Sequence, residues 1–532
     1  MRLSRLYSWL GTSQSEPIPG RDMARNHAGG FTFRLDDWAR LDRFLVLGTE
    51  GGTYYVGERA LTVDATAATL RCLAEDGVEV VRRVVSVSEG GRAPRNDPAL
   101  FALALALKRG DLVTRRAAAD AVPRGARTGT HLLHLAAAVE GLGGWGRGTR
   151  RAFARWYTEA PAEKVALQVS KYANRDGWTQ RDVLRLAHPV PPSDAHRALF
   201  GWVTSGELPA NAAEGPLALL GAIQAAKAAT TVEEVVDLVV RADLTREHLP
   251  TRWLTEPRVW EALLGAGRGM PLTALLRNLA TMTRIGLLTD DGDAVREVVR
   301  RLTDAGALRA ARVHPLAVLV ALETYRSGRG LRGKGTWTPV PSIVCALEAA
   351  FELSFGSVAP TGRRHLLALD VSGSMAAGGV AGLSGITPRV AVAAMAMVAA
   401  RTEPEHRFVA FQDRIVPLDL RSTDRLSTAL AKTSGLPFGR TDCAAPMRWA
   451  LDQRVPVDVF VVYTDNETWF GDEHPVEALR RYRERTGIPA KLAVVATAAT
   501  GFTIADPDDA GMLDVVGFDT ATPQVLADFA TA

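Results

Sequence analysis

RHLLALDVSGSMAAGG, residues 364–379, is the stretch whose reading decides the fold. A short apolar run ends in Asp370 and passes directly into a turn rich in Gly and Ser. The segment Thr387–Arg401 follows with Val390, Val392, Ala394, Met395 and Val398 on one helical face. Apolar runs then recur at Arg407–Phe411, Val457–Tyr463, Ala490–Ala496 and Asp514–Gly517, with helical stretches between several of them. Short buried strands alternating with helices predict a doubly wound, mostly parallel sheet. In such sheets ligands sit beyond the carboxyl ends of the strands.

Three loops at those ends carry oxygen donors: Asp370, Ser372 and Ser374 after the first strand, Thr441 in a later loop, and Asp465 after the strand within Val457–Tyr463. Two carboxylates and three hydroxyls suit a small hard cation that keeps several waters, Mg²⁺ first and Mn²⁺ second. The i, i+2, i+4 spacing places three oxygens on one side of an extended turn. An open coordination position would remain for a carboxylate or phosphate of a partner. The alternative is a Ser/Thr-rich turn that caps a helix, which would have no use for Asp465. The pattern D-x-S-x-S, then T, then D resembles the metal-ion-dependent adhesion site of von Willebrand factor A domains.

Working outward, residues 60–355 read as one amphipathic helix after another. Pro98–Lys108, Thr130–Gly141, Arg150–Tyr157, Ala162–Ala173, Glu214–Ala228, Val232–Arg241, Leu272–Thr283 and Ala294–Asp304 all place apolar residues at i, i+3, i+4 and i+7, with Gly, Pro or Asp at the breaks. Many short helices without a long heptad run predict stacked pairs, an α-solenoid or a ring built from one. The chain of 532 residues is long enough for several domains. The expected division is an N-terminal extension at 1–20, a helical module at 21–362 and an A-type domain at 363–532.

The formal charge of +4 conceals an asymmetry: residues 361–532 are net −4 and residues 1–360 net +8. A basic part joined to an acidic part suits a polyanion on the first and a cation on the second, although +8 over 360 residues is modest. Cys72, Cys345 and Cys443 are too far apart to suggest a disulfide framework or a zinc site. No apolar run reaches membrane-spanning length and residues 1–20 lack a secretory pattern, so a soluble cytoplasmic protein is expected. No nucleophile elbow, zinc-protease motif or Cys–His pair is present, and an enzyme is not expected. The P-loop-like Gly328–Lys334 has Gly335 where Ser or Thr is needed, and helical sequence, His314–Thr324, precedes it.

Several segments are similar to the TROVE module of the Ro autoantigen family: GTEGGTYY (48–55), THLL (130–133), WGRGTRRAFARWY (145–157), KYANRDGWTQRDVLRLAH (171–188), MPLTALLRNL (270–279) and HPLAVLVALETYRSGRGLRG (314–333). TDNETW (464–469) and GFTIADPDDAGMLDVVGFD (501–519) extend the resemblance into the C-terminal part. The resemblance implies a ring of HEAT-like helical repeats joined to a von Willebrand factor A-like domain. It further implies an RNA-binding scaffold: small Y-like RNAs on the outer surface, single-stranded 3′ ends of misfolded noncoding RNAs in a central hole, and a 3′ exoribonuclease as a possible partner, with no DNA or membrane role.

Lys171, Arg175 and His188 fall on the family's RNA-contact positions, and Arg147, Arg150 and Arg151 form a second basic cluster. Lys171 and Arg175 share a face if that stretch is helical. His188 suits stacking or hydrogen bonding to RNA, or else caps its helix before Pro189. Ala173, where the family often has a base, and Asp176 beside Arg175 depart from the pattern. The alternative function is a protein-interaction scaffold with metal-dependent partner binding and no specific RNA role. A metal-insertion subunit working with a separate ATPase is a more distant one.

Overall fold

The structure, a computed structural model, describes residues 11–49, 52–208, 215–265, 267, 269–330, 335–355, 358–380, 383 and 386–532. The N-terminal two-thirds is helical. Glu58–Gly90 is the longest helix, broken at Asp76, whose backbone leaves helical geometry. Asp97–Arg109 buries every residue from Ala102 to Leu107, as a helix packed on several sides must. It lies against Glu58–Gly90 and Gly129–Gly141, and the array proceeds by successive neighbours to the pair Pro315–Arg326 and Pro341–Leu353. Side-chain caps set many of the starts: Asp111 accepts from the Thr114 N–H at 2.7 Å, and Thr231 with Glu234 forms a capping box.

The helical array closes on itself. Gly91, in the left-handed region at φ 63°, ends the long helix against Arg312, so close that a Cβ there would lie 2.8 Å from the Arg312 Cβ. One residue on, the Arg92 carbonyl accepts from His314 Nε2 at 3.1 Å, while His314 Nδ1 accepts from the Leu316 N–H. Both ends also bind the C-terminal domain. Arg43 and Arg92 pair with Asp514 and Asp519 at one end. At the other, Glu348 accepts from the Ser427 N–H and Glu352 pairs with Arg401.

Strands are numbered in chain order: β1 Met23–Arg25, β2 Phe31–Arg34, β3 Asn174–Arg175, β4 Trp178–Thr179, β5 His365–Asp370, β6 His406–Phe411, β7 Ile415–Val416, β8 Val459–Thr464, β9 Lys491–Ala496, β10 Phe502–Thr503 and β11 Met512–Val516. The C-terminal sheet has the order β11-β9-β8-β5-β6-β7, parallel except for β7. Strands β5 and β8 are buried throughout because helices cover both faces. From β5 the chain crosses to β6 on one side, and from β8 to β9 on the other. The crevice at the carboxyl ends of β5 and β8 is therefore the topological switch point, where such sheets take their ligands.

Two features depart from the sequence reading. The helix expected over Ala162–Ala173 stops at Lys171, and β3 and β4 form a hairpin whose turn residues, Asp176 (φ 51°) and Gly177 (φ 78°), both adopt positive φ. Lys171 and Arg175 consequently share no helix face. The N-terminus contributes β1 and β2, which pair with β10 to form a small sheet spanning the two parts of the chain. Residues 331–334, within the P-loop-like segment, lie outside the described residues; the helix before it, Pro315–Arg326, is as expected.

A candidate metal centre and a cationic groove

The five residues singled out as metal ligands converge at the switch point. Asp370 ends β5, and Asp465 follows β8 directly. Ser372 and Ser374 lie in the first loop with their hydroxyls 3.2 Å apart, and Ser374 bonds to Asp465. The loops interlock through their backbones: the Gly373 N–H donates to the Gly439 carbonyl, and the Trp469 and Phe470 N–H groups donate to the Thr441 carbonyl. All five side chains are buried.

The electrostatics of the site suit a cation. Burial pushes the Asp370 carboxyl up, against hydrogen bonds from the Ser372 N–H (2.9 Å) and the Thr464 hydroxyl (2.7 Å). Burial also raises Asp465, and the neighbouring Asp370 and Glu467 carboxylates add to the shift. The Thr441 hydroxyl is buried without a hydrogen-bond partner. Two crowded carboxylates, two serine hydroxyls and an orphaned threonine oxygen are a donor set that could hold a small oxygen-ligated divalent ion. The described residues contain no group of three or more His, Cys, Asp or Glu placed to hold a metal ion by themselves; the set depends on hydroxyls. Asp442, next to Thr441, is engaged elsewhere, accepting from Gln14, Arg448 and the Ala444 N–H.

Sequence reasoning missed three supports of this centre. Arg389 is buried and donates to the Val371, Ser372 and Leu436 carbonyls, holding the first loop from behind. Residues 11–34 clasp the second and third loops: Gln14 reaches Asp442 and Thr468, Asn26 donates to the Thr468 carbonyl at 2.6 Å, and His27 with the Ala28 N–H engages buried Glu467. Tyr55 lies close enough to be affected by the same acids; burial chiefly, with Asp465, Glu467 and Asp370, pushes its phenol up to about 12.

The six predicted RNA-contact residues separate. Lys171 turns inward: its side chain is 11% exposed, its ammonium lies 3.7 Å from Glu247 and 5.5 Å over the Tyr172 ring, and it lines a pocket with Arg246 and Met270. Arg175 is exposed on the hairpin, 3.8 Å from Asp176. His188 is exposed and caps Gln180–Ala187 in the left-handed region, its N–H donating to the Leu184 carbonyl. Arg147, Arg150 and Arg151 open the helix Arg147–Thr158 and are exposed.

Arg147 and Arg151 face a groove of about 730 Å³ whose opposite wall supplies Lys108, Arg115 and Arg116. Its one acid, Asp120, is taken by Arg155. Among the described residues Arg116, Arg147 and Arg151 have no acidic partner within salt-bridge distance, and Leu112 lies exposed in the lining. The facing cations come from helices some 30 residues apart in sequence, so no local motif announces them.

Comparison with known proteins accords with this architecture. The TROVE domain profile matches residues 24–211 and 238–327, and the Ro60 vWA domain profile matches residues 364–530. The chain belongs to the Ro family of TROVE-domain proteins. A family member named RNA-binding protein RO60 from Deinococcus radiodurans is 45% identical over 99% of each chain. Another of that name from Caenorhabditis elegans is 35% identical over 95% of this chain and 90% of its own. The crystal structure of the Deinococcus radiodurans RO (RSR) protein is similar at a TM-score of 0.71 and 46% identity, covering 93% of this chain and 99% of that one. Among the described residues no helix is long and apolar enough to cross a membrane.

Proposed function

We propose that this Ro-family chain binds RNA, and the observation that carries the reading is the arginine-lined groove between the helices Leu112–Gly125 and Arg147–Thr158. Several cations along one groove give affinity through phosphate contacts irrespective of base sequence. The names of both relatives point to the same ligand class. Exposed Arg175 and His188 suit a Y-like RNA on the outer surface. Half-buried Lys171 would instead position the adjoining hairpin. A 3′ single-stranded end would enter the closed helical array, selected by shape and end structure. The work is RNA quality control, maturation or decay in the cytoplasm, with a 3′ exoribonuclease as partner and the chain itself non-catalytic.

Asp370, Ser372, Ser374, Thr441 and Asp465 would hold Mg²⁺ or Mn²⁺. The ion would neutralise the two carboxylates and fix three loops in one geometry. Arg389 holds the first loop and residues 11–34 the third, and both keep the donors in place before the ion arrives.

The test is equilibrium binding, over a salt series, of one structured RNA with and without a single-stranded 3′ tail. Tighter binding of the tailed form is expected, and Arg147→Ala with Arg151→Ala should make the salt slope shallower by roughly two units. Equal, weak binding of both RNAs with an unchanged slope in the variant would favour a protein-interaction scaffold.

A further inference from the structure

The helix Arg147–Thr158 begins without a side-chain cap. Its N-cap residue is Gly146, which has nothing to accept from the first turn. Among the described residues the N–H groups of Arg147, Gly148 and Thr149 have no hydrogen-bond partner. The helical ladder starts only with the Arg150 N–H, which donates to the Gly146 carbonyl at 3.0 Å. Free N–H groups at the positive end of a twelve-residue helix attract an anion. Water satisfies most such ends.

Here a further donor opens into the same space. Thr149 is 6% exposed and lines the groove between this helix and Leu112–Gly125. Its hydroxyl has no hydrogen-bond partner among the described residues, yet it is not sealed from solvent, so it faces the groove. The approach is clear, because a Cβ at Gly146 or Gly148 would meet nothing within 4 Å. From the opposite wall, Lys108 donates to the Gly144 carbonyl at 2.6 Å and pins the loop that leads into the helix. Arg116, Arg147 and Arg151 line the same groove, with no acidic partner within salt-bridge distance among the described residues.

These donors select among phosphates. A monoester carries close to two charges at neutral pH and three strongly accepting oxygens. A diester inside a chain has a single charge and fewer free oxygens. Free N–H groups, a hydroxyl and a guanidinium within one helical turn favour the monoester. At about 730 Å³ the groove is also in the size range of pockets that take whole small molecules, so it has room for the nucleotide bearing the phosphate.

We propose that the N-terminus of Arg147–Thr158 seats a terminal phosphate monoester, on an RNA end or on a free nucleotide, held by the Arg147, Gly148 and Thr149 N–H groups and the Thr149 hydroxyl, with Arg147 and Arg151 beside it. The inference deepens the RNA-binding reading above and rests on it for RNA as a source. It makes the groove a reader of chain ends in addition to a cationic track.

The experiment uses the full-length protein and one single-stranded RNA with hydroxyls at both ends, a 5′ phosphate, or a 3′ phosphate. Adenosine 5′-monophosphate is the free nucleotide. Binding of a phosphorylated RNA about tenfold tighter than the hydroxyl form is expected. Gly148→Ala should remove that gain, because a helical Cβ tilts toward the N-terminus and would stand in the seat. Alanine suits a helix better than glycine, so folding is preserved. Thr149→Val keeps the shape, loses the hydroxyl and should reduce the gain several-fold. Neither variant alters charge, and both should bind the hydroxyl RNA as the wild type does. A gain that survives both variants would reflect added charge alone and overturn the seat. Equal binding of the three RNAs, with no binding of adenosine monophosphate, would overturn it and leave RNA binding standing. A gain confined to RNA assigns the seat to chain ends. Adenosine monophosphate binding that Gly148→Ala abolishes, with no RNA bound, assigns it to free nucleotides and overturns the RNA reading instead.

Discussion

Arg43 is a guanidinium with almost no contact with water. It donates to the Thr500 and Phe502 carbonyls at 2.8 and 2.9 Å and pairs with Asp514 at 2.6 Å, all across the junction between helical array and A domain. Burial pushes the Asp514 carboxyl up and Arg43 opposes it. Arg43→Ala therefore strands a buried carboxylate and two carbonyls at once, and should cost about 3–5 kcal/mol in urea unfolding. Asp514→Asn, which removes the charge that would be stranded, should restore part of that loss. Neither Arg43 nor Arg389 was legible as a buried residue, because an isolated arginine in an amphipathic helix reads as surface. Asp370, Ser372, Ser374, Thr441 and Asp465 were legible, because each follows directly from where a strand or loop ends in the chain order.

At the scale of elements, the hairpin between Lys171 and His188 shows where the reading from sequence failed and why. The apolar spacing of Ala162–Lys171 runs on by chance into Ala173, and helical periodicity outweighed the local Asp176-Gly177 signal for a two-residue turn. In the same stretch Thr179 and Asp182 form a reciprocal cap on Gln180–Ala187. An eight-residue helix depends heavily on such a cap. Thr179→Ala should destabilise it by about 1 kcal/mol, seen as a roughly fivefold faster amide exchange from Gln180 to Ala187. Strands β1 and β2 left no comparable trace, since what makes them strands is a partner, β10, near the far end of the chain. Strands β5, β6, β8, β9 and β11, with helices between several of them, were legible because a sheet covered on both faces needs apolar runs.

The whole molecule depends on a few junctions, and the one at His314 is sensitive to acid. His131, His248 and His314 are each held down to about 4, all chiefly by burial. At His314 the Arg92 and Phe518 carbonyls and Asp519 oppose the shift without cancelling it. An unfolded histidine titrates near 6.5. The neutral form is thus the folded one: the stabilisation is present above pH 6.5 and is lost as pH falls from 6.5 towards 4. For His314 the full loss is about 3 kcal/mol. The melting temperature should accordingly fall more steeply between pH 6.5 and 4.5 in the wild type than in His314→Gln, and equal slopes would mean that the ring-closing histidine charges freely. The junction sheet carries a different consequence, one of timing. Strand β2 pairs with β10, whose first residue is added 468 positions after Arg34. At about 5–20 residues per second, a ribosome leaves that outer edge of β2 without its neighbour for roughly 25–90 s. A two-stranded hairpin this short is marginal on its own, so the β1–β2 pair settles only after nearly the whole chain has been made.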